Sequence, residues 1–346
     1  MNREQAIAAV VYRGDSIENT HIAHVAVVDA KGRLLSGFGD SLRMTLARSA
    51  AKPAQALAVM ETGALEQFGL NDADLALMCG SHSSEERHIR RALSMLAKAG
   101  VSEGDMRCGG HPPISDEVYR AWLKSDFVPG PVCSNCSGKH AGMLAAAKAL
   151  GSTLEGYHLP AHPLQQWVMQ TVAQVCEVSG NAIQWATDGC NLPTPAFALD
   201  RLALLFAKIA AAADIDESAR SPREAGLARI YRAMTAYPEL VAGEGRFCTT
   251  MMKAFDGQLV GKVGADASYA IGVRGMDGQQ ARGIAVKVED GNQAVLYAVV
   301  CEVLAQLNIG TAEQRAQLSA WHHPPMLNTM QVQTGHMALT FSLEPR

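Results

Sequence analysis

The chain has 346 residues, 48% of them hydrophobic and 18% charged, with a formal net charge of −4. The charged share is below the globular norm and the apolar share is ordinary, which excludes a mainly disordered chain. No basic surplus or Lys/Arg stripe exists to neutralise phosphates, so nucleic-acid binding is not expected. The opening residues, Met1-Asn-Arg-Glu-Gln, lack the apolar segment of a secretory signal. The most apolar run, Leu202 to Ala213, is broken by Lys208 and is too short for a bilayer. The expectation is a cytoplasmic protein with no membrane span. Its 8 scattered cysteines then read as reduced thiols, with metal binding open to some of them.

In chain order, residues 24–29 and 33–39 read as strands joined by Ala30-Lys31-Gly32, a hairpin signal. A helix pattern starts near Ala50, and Leu75-Ala-Leu-Met-Cys79 reads as a short buried strand. Ser83 and Glu86 are spaced as a capping box for a helix reaching about Gly100. Further helices are expected near 137–150, 163–178, 194–213 and 225–236, with the polar run 214–224 as a surface loop. Strands return at 259–262, 269–274 and 283–288, followed by an apolar helix over 293–308. Strands at both ends with helices between them predict a single α+β domain over 1–346. Both chain ends complete its antiparallel sheet, and a helical portion occupies about 50–245.

Four clusters could carry chemistry. In Arg48-Ser49-Ala-Ala-Lys52-Pro53, a serine and a lysine three apart share a helix face, and a desolvated lysine can act as base for the hydroxyl. Serine β-lactamases and penicillin-binding proteins use the same spacing for acylation, and the plain alternative is a solvated helix. In Cys79-Gly80-Ser81-His82-Ser83-Ser84-Glu85, a turn into a helix exposes a hydroxyl and free backbone N–H groups. The alternative is ordinary capping by the serines, with His82 and His88 on the surface.

The densest cluster is Cys133-Ser-Asn135-Cys136-Ser137-Gly138-Lys139-His140, where Cys-x-x-Cys beside histidine suits zinc or redox chemistry. Asp188-Gly189-Cys190 adds a second thiol beside a carboxylate, and buried free thiols remain the plain alternative. The fourth cluster, Gly261-Lys262-Val263-Gly264-Ala265-Asp266-Ala267, places a lysine on a late strand. It is not a P-loop, and by itself it reads as an exposed strand lysine.

Taken in this order, the four motifs and Asp188-Gly-Cys190 resemble the rhizobial-type L-asparaginase family across nearly the whole chain. The Cys-Ser-Asn-Cys-Ser-Gly-Lys-His block is the most specific part. The resemblance implies a serine β-lactamase/glutaminase-like fold, a homodimer, and two Ser-Lys tandems in one pocket: Ser49 with Lys52, and Ser81 with Lys262. It implies a zinc ion on Cys136, Lys139 and Cys190, with Asp188 beside it. Lysine must be neutral to bind a metal, so donor chemistry alone favours Cys133 or His140 over Lys139. Arg48 and Asn135 join Asp188 as candidates for holding the substrate.

The activity so implied is hydrolysis of L-asparagine to L-aspartate and ammonia. Ser49 attacks through Lys52, Ser81 and Lys262 relay the proton, and an alkaline optimum is expected because the amines must be neutral. Glutaminase activity is the nearest alternative, since one methylene contributes only about 1–3 kcal/mol of discrimination. A β-lactamase or penicillin-binding enzyme would carry Ser-Asp-Asn and Lys-Thr-Gly, and neither tripeptide is present. A non-catalytic zinc-binding protein would bind the metal and release no ammonia.

Overall fold

The computed structural model describes residues 6–275 and 278–346. The chain opens with β1 (Ile7–Arg13), β2 (Ser16–Asp29) and β3 (Leu34–Phe38), in which β2 pairs antiparallel with both neighbours. β1 escapes the sequence reading because its apolar run is almost wholly buried and shows no alternation. β4 (Met44–Leu46), β5 (Gln184–Thr187) and β6 (Pro193–Ala198) form a small sheet of order β4-β6-β5. β7 (Leu259–Gly264), β8 (Ser268–Val273) and β9 (Arg282–Val288) follow the helices, and β10 (Met326–Leu327), β11 (Gln333–Leu339) and β12 (Glu344–Pro345) close the chain.

The main sheet runs β10-β11-β1-β2-β9-β8-β7, with β3 and β12 paired beside β2. All its pairings are antiparallel, and it draws on both chain ends as expected. Helices and antiparallel sheet together make the fold α+β. No helix among the described residues is long and apolar enough to cross a membrane.

A helix lies on each face of the sheet. Leu199–Asp214 packs on β9, β8 and β2, and Gln293–Gln306 packs on β9 and β1. Gly272 and Gly283 are register partners on β8 and β9. A Cβ on either would run into the backbone carbonyl of Phe206 or Ala203, so the first helix rests directly on bare strand backbone. On the opposite face Tyr297 meets Tyr269 and stacks on Phe247 at 4.3 Å.

Three local expectations change. Leu75–Met78 belongs to a helix, Asp72–Met78, started by a reciprocal capping box between Asn71 and Asp74 and ended by Cys79 as its C-cap. Burial on every side removes the periodicity that would have separated helix from strand. The helix Glu86–Ala99 is capped by Glu85 and His88 rather than by Ser83 and Glu86, and it ends at Gly100 in the left-handed region (φ 61°). The helix expected from 194 begins at Leu199. Pro193 and Pro195, which lack the N–H a helix interior uses, lie instead in β6.

Gly283→Ala forces a methyl group into the helix backbone. Urea unfolding should show a loss of about 1–3 kcal/mol, whereas an unchanged midpoint would contradict the contact.

Candidate active site

Three of the predicted side chains meet at one oxygen. Lys52 Nζ donates to Ser81 Oγ at 3.0 Å, and Lys262 Nζ donates to the same oxygen at 2.9 Å. Each amine also donates to a carbonyl, Lys52 to Gly80 O and Lys262 to Val263 O at 2.6 Å. Both lysines have 0% exposure, so Lys262 is not the exposed strand residue its local sequence suggests. Burial, and next the charge of Lys52, push the Lys262 amine down to about 7.

Small residues make this convergence possible. Lys52 opens the helix Lys52–Glu61, directly after the single 3-10 turn Arg48–Ala51. Lys262 and Gly264 point to the same side of β7, and a Cβ on Gly264 would lie 2.6 Å from Ala47 O. The bare backbone there brings β7 against the turn. Gly80 is equally confined, its Cβ position 2.6 Å from Leu240 O, and Ser81 N donates to Val241 O at 2.8 Å.

Ser49 is half-buried in that 3-10 turn, and its hydroxyl makes no hydrogen bond among the described residues. Lys52 therefore turns to Ser81 rather than to Ser49. Arg48, beside it, adopts φ +48°, a left-handed value uncommon outside glycine. Its Nε donates to Asp188 Oδ1 at 2.7 Å, and its Nη1 pairs with the exposed Asp266.

Behind Arg48 lies the second cluster. The Sγ atoms of Cys136 and Cys190 and a carboxylate oxygen of Asp188 lie within 4.8 Å of one another. Lys139 Nζ is 3.9 Å from Asp188 Oδ2. The fold thus unites Cys136 and Cys190, which spacing could not establish. The neighbouring Cys136 thiol, helped by Lys139 against the cost of burial, lowers Cys190 to about 6. The nearness of Cys190, followed by burial, raises Cys136 to about 12. For Asp188, burial works upward, but Lys139 and Arg48 hold the carboxyl below its usual range. Two thiols and a carboxylate suit a borderline-soft divalent ion. Burial works downward on the Lys139 amine, but Cys190, Cys136 and Asp188 prevail and keep it protonated, so it would join them only on losing that proton.

The helix bearing Lys139, Ser137–Ala149, rests on the end of Asp72–Met78. A Cβ on Gly138 would lie 2.6 Å from Leu77 O, and one on Gly142 would lie 2.8 Å from Met78 Sδ. His140 Nδ1 contacts the Tyr157 hydroxyl at 2.6 Å, and the ring is fully buried. Burial and the charge of Lys139 push His140 to about 3. Asn135 sits one residue before the cluster, and its Oδ1 accepts from Cys136 Sγ at 3.1 Å.

The histidines after Ser81 contradict the surface reading. His82 and His88 have 0% exposure and stack at 4.8 Å. His82 Nδ1 accepts from Ser84 N at 3.1 Å, which leaves Nε2–H to donate to Ser137 Oγ at 2.8 Å. Burial holds His82 well below its usual value, hence neutral. It ties the Ser81 loop to the first residue of the helix carrying Lys139, a role that its sequence neighbourhood does not announce.

With this geometry in hand, comparison with known proteins gives a direct result. The L-asparaginase II family model matches residues 9–339. The chain belongs to the L-asparaginase II family. This membership makes it an amidohydrolase whose substrate is an amino-acid amide. No curated protein matches the sequence. Among solved structures it is similar to a Bacillus glutaminase at 13% identity, over 83% of this chain and 91% of that one, with a TM-score of 0.35. A probable glutaminase from Bacillus subtilis complexed with 6-diazo-5-oxo-L-norleucine is 13% identical, over 83% and 85%, with a TM-score of 0.37. Mglu in its glutamate form is 16% identical, over 84% and 63%, with a TM-score of 0.34.

In this asparaginase-family site, His82→Leu strands the buried Ser84 N–H and Ser137 hydroxyl. Stability should fall by roughly 2–4 kcal/mol in urea unfolding, and a neutral substitution would contradict the bridge.

Proposed function

We propose that the protein hydrolyses the side-chain amide of L-asparagine to L-aspartate and ammonia through an acyl-serine intermediate. The observation that carries this reading is the chain Lys52–Ser81–Lys262, a proton path through one hydroxyl. Ser49 is the nucleophile, because its hydroxyl is outside that chain and it lies one 3-10 turn before Lys52, whose backbone N–H donates to Ser49 O.

Neutral Lys262 accepts the Ser81 proton, Ser81 takes one from the Lys52 ammonium, and Lys52 takes the proton of Ser49. The Ser49 oxygen then bonds to the amide carbon. Collapse of the tetrahedral adduct releases ammonia, which carries away the proton returned along the same path. Water, activated by the same bases, cleaves the ester to give L-aspartate. Lys262 is deprotonated above about pH 7, so this reading expects the rate to rise through neutral pH.

Arg48, next to Ser49, receives the α-carboxylate, and Asp188 holds its guanidinium in place. Asn135, beside Cys136, is a further candidate for holding the substrate. Cys136, Lys139 and Cys190 would hold a zinc ion, which when bound supplies a fixed positive charge beside Asp188 and keeps the thiols deprotonated. The wider reading includes a serine β-lactamase-like arrangement of sheet and helices. It also includes a homodimer, for which Leu42, Met44 and Leu46, exposed at and beside the edge strand β4, offer an apolar face.

Acid-quenched turnover of asparagine followed by peptide mass spectrometry should show an aspartyl adduct on Ser49. Ser49→Ala should abolish the adduct and slow ammonia release by about 10³-fold or more. An adduct on Ser81, or full turnover by Ser49→Ala, would overturn the assignment. Ammonia release from glutamine but not asparagine would move the substrate to the longer amide. For the metal, elemental analysis should find about one zinc per chain and a large loss in Cys190→Ser; equal zinc content in both proteins would refute the site.

A further inference from the structure

Arg48 is held by two carboxylates of different character. Asp188 has a side chain only 9% exposed, and both its oxygens are engaged. Oδ1 accepts from Arg48 Nε at 2.7 Å, and Oδ2 faces Cys190 Sγ at 3.5 Å and Lys139 Nζ at 3.9 Å. Asp266 has a side chain 70% exposed. Its Oδ2 meets Arg48 Nη1, and its Oδ1 makes no hydrogen bond among the described residues. One carboxylate is committed to the protein interior, and the other presents an open oxygen to solvent beside Arg48.

The backbone places Asp266 there against its own preference. Asp266 and Ala267 have φ of +56° and +57°, two successive left-handed residues with side chains. Such conformations cost roughly 1–2 kcal/mol per residue and persist where the surroundings impose them. The surroundings here are specific. Gly264 presses β7 against Ala47 O, and Lys287 Nζ, from β9, bonds Asp266 O. The hairpin tip is thereby held over the turn that carries Arg48 and Ser49.

The substrate class supplies the remaining constraint. Asparagine carries both charges on its α-carbon, one methylene from the amide carbonyl, so the groups that hold them must border the nucleophile. Arg48 satisfies this for the carboxylate. The ammonium needs an anion beside Arg48 with an unoccupied lone pair, and Asp266 has one where Asp188 does not.

We propose that Asp266 binds the α-ammonium of the substrate and so selects α-amino acid amides over simple amides. The inference rests on the proposed asparagine chemistry of the same site. In the free enzyme the carboxylate neutralises Arg48. On binding, the substrate's own carboxylate shares the guanidinium and its ammonium takes the open oxygen of Asp266, so the charges around Arg48 stay balanced.

The test compares asparagine with succinamate, which is asparagine without its amino group. In Asp266→Asn, kcat/KM for asparagine should fall at least tenfold more than kcat/KM for succinamate, mostly through KM, as expected for one lost charge-assisted hydrogen bond. Asp266→Glu should restore part of the preference. An equal loss on both substrates would show that Asp266 merely supports the loop, and an unchanged ratio of the two would equally overturn the proposal. Failure of the asparaginase reading looks different, because the unmodified enzyme would then release no ammonia from asparagine.

Discussion

Two lysine side chains sealed from solvent end on a single serine oxygen, and the rest of the site is arranged around that constraint. Two ammonium groups at hydrogen-bond distance from one oxygen repel strongly, and burial removes the water that would screen them. The protein relieves this by pushing the Lys262 amine down to about 7, so that it sheds its proton from neutral pH upward. A neutral amine next to a hydroxyl is a proton acceptor, whereas a charged one is only a donor. The native state binds fewer protons here than the unfolded chain, so this group's contribution to stability rises as pH climbs from about 7 toward lysine's ordinary range.

The convergence depends on backbone approaching backbone without side chains between. Gly264 lets β7 touch the Ser49 turn, and Gly80 lets the Ser81 loop sit under Leu240 and Val241. Gly138 and Gly142 let the helix carrying Lys139 close on Asp72–Met78. Gly272 and Gly283 do the same for the sheet and its covering helix. His82 then joins the Ser81 loop to Ser137, so the thiol cluster and the Ser-Lys chain share one rigid support. Charge is balanced in the same spirit, since Lys139 lies beside Cys136, Asp188 and Cys190, and Arg48 lies between Asp188 and Asp266.

Much of this was legible in the chain. Strands at both ends announced the sheet, and the motifs around Ser49, Ser81, Cys136, Asp188 and Lys262 all fall in one region. What stayed hidden shares a physical cause, which is burial on all sides. β1 and Asp72–Met78 lose their periodicity because every face is covered. His82 and His88 look like surface residues in a polar run, yet both are enclosed. No local pattern tells which serine Lys52 will face, because its partner comes from a loop 29 residues away. Which side chain of this block faces Asp188 is equally tertiary: His140 turns to Tyr157, and Lys139 Nζ lies 3.9 Å from Asp188 Oδ2.

The account stands or falls on the charge state of one amine. Titration of the Lys262 side chain by NMR, with lysine labelled at Cε and assigned through Lys262→Arg, reads it directly. The account predicts a midpoint near 7. A Lys262 amine that stays protonated beyond about pH 9, near the ordinary lysine range, would contradict it.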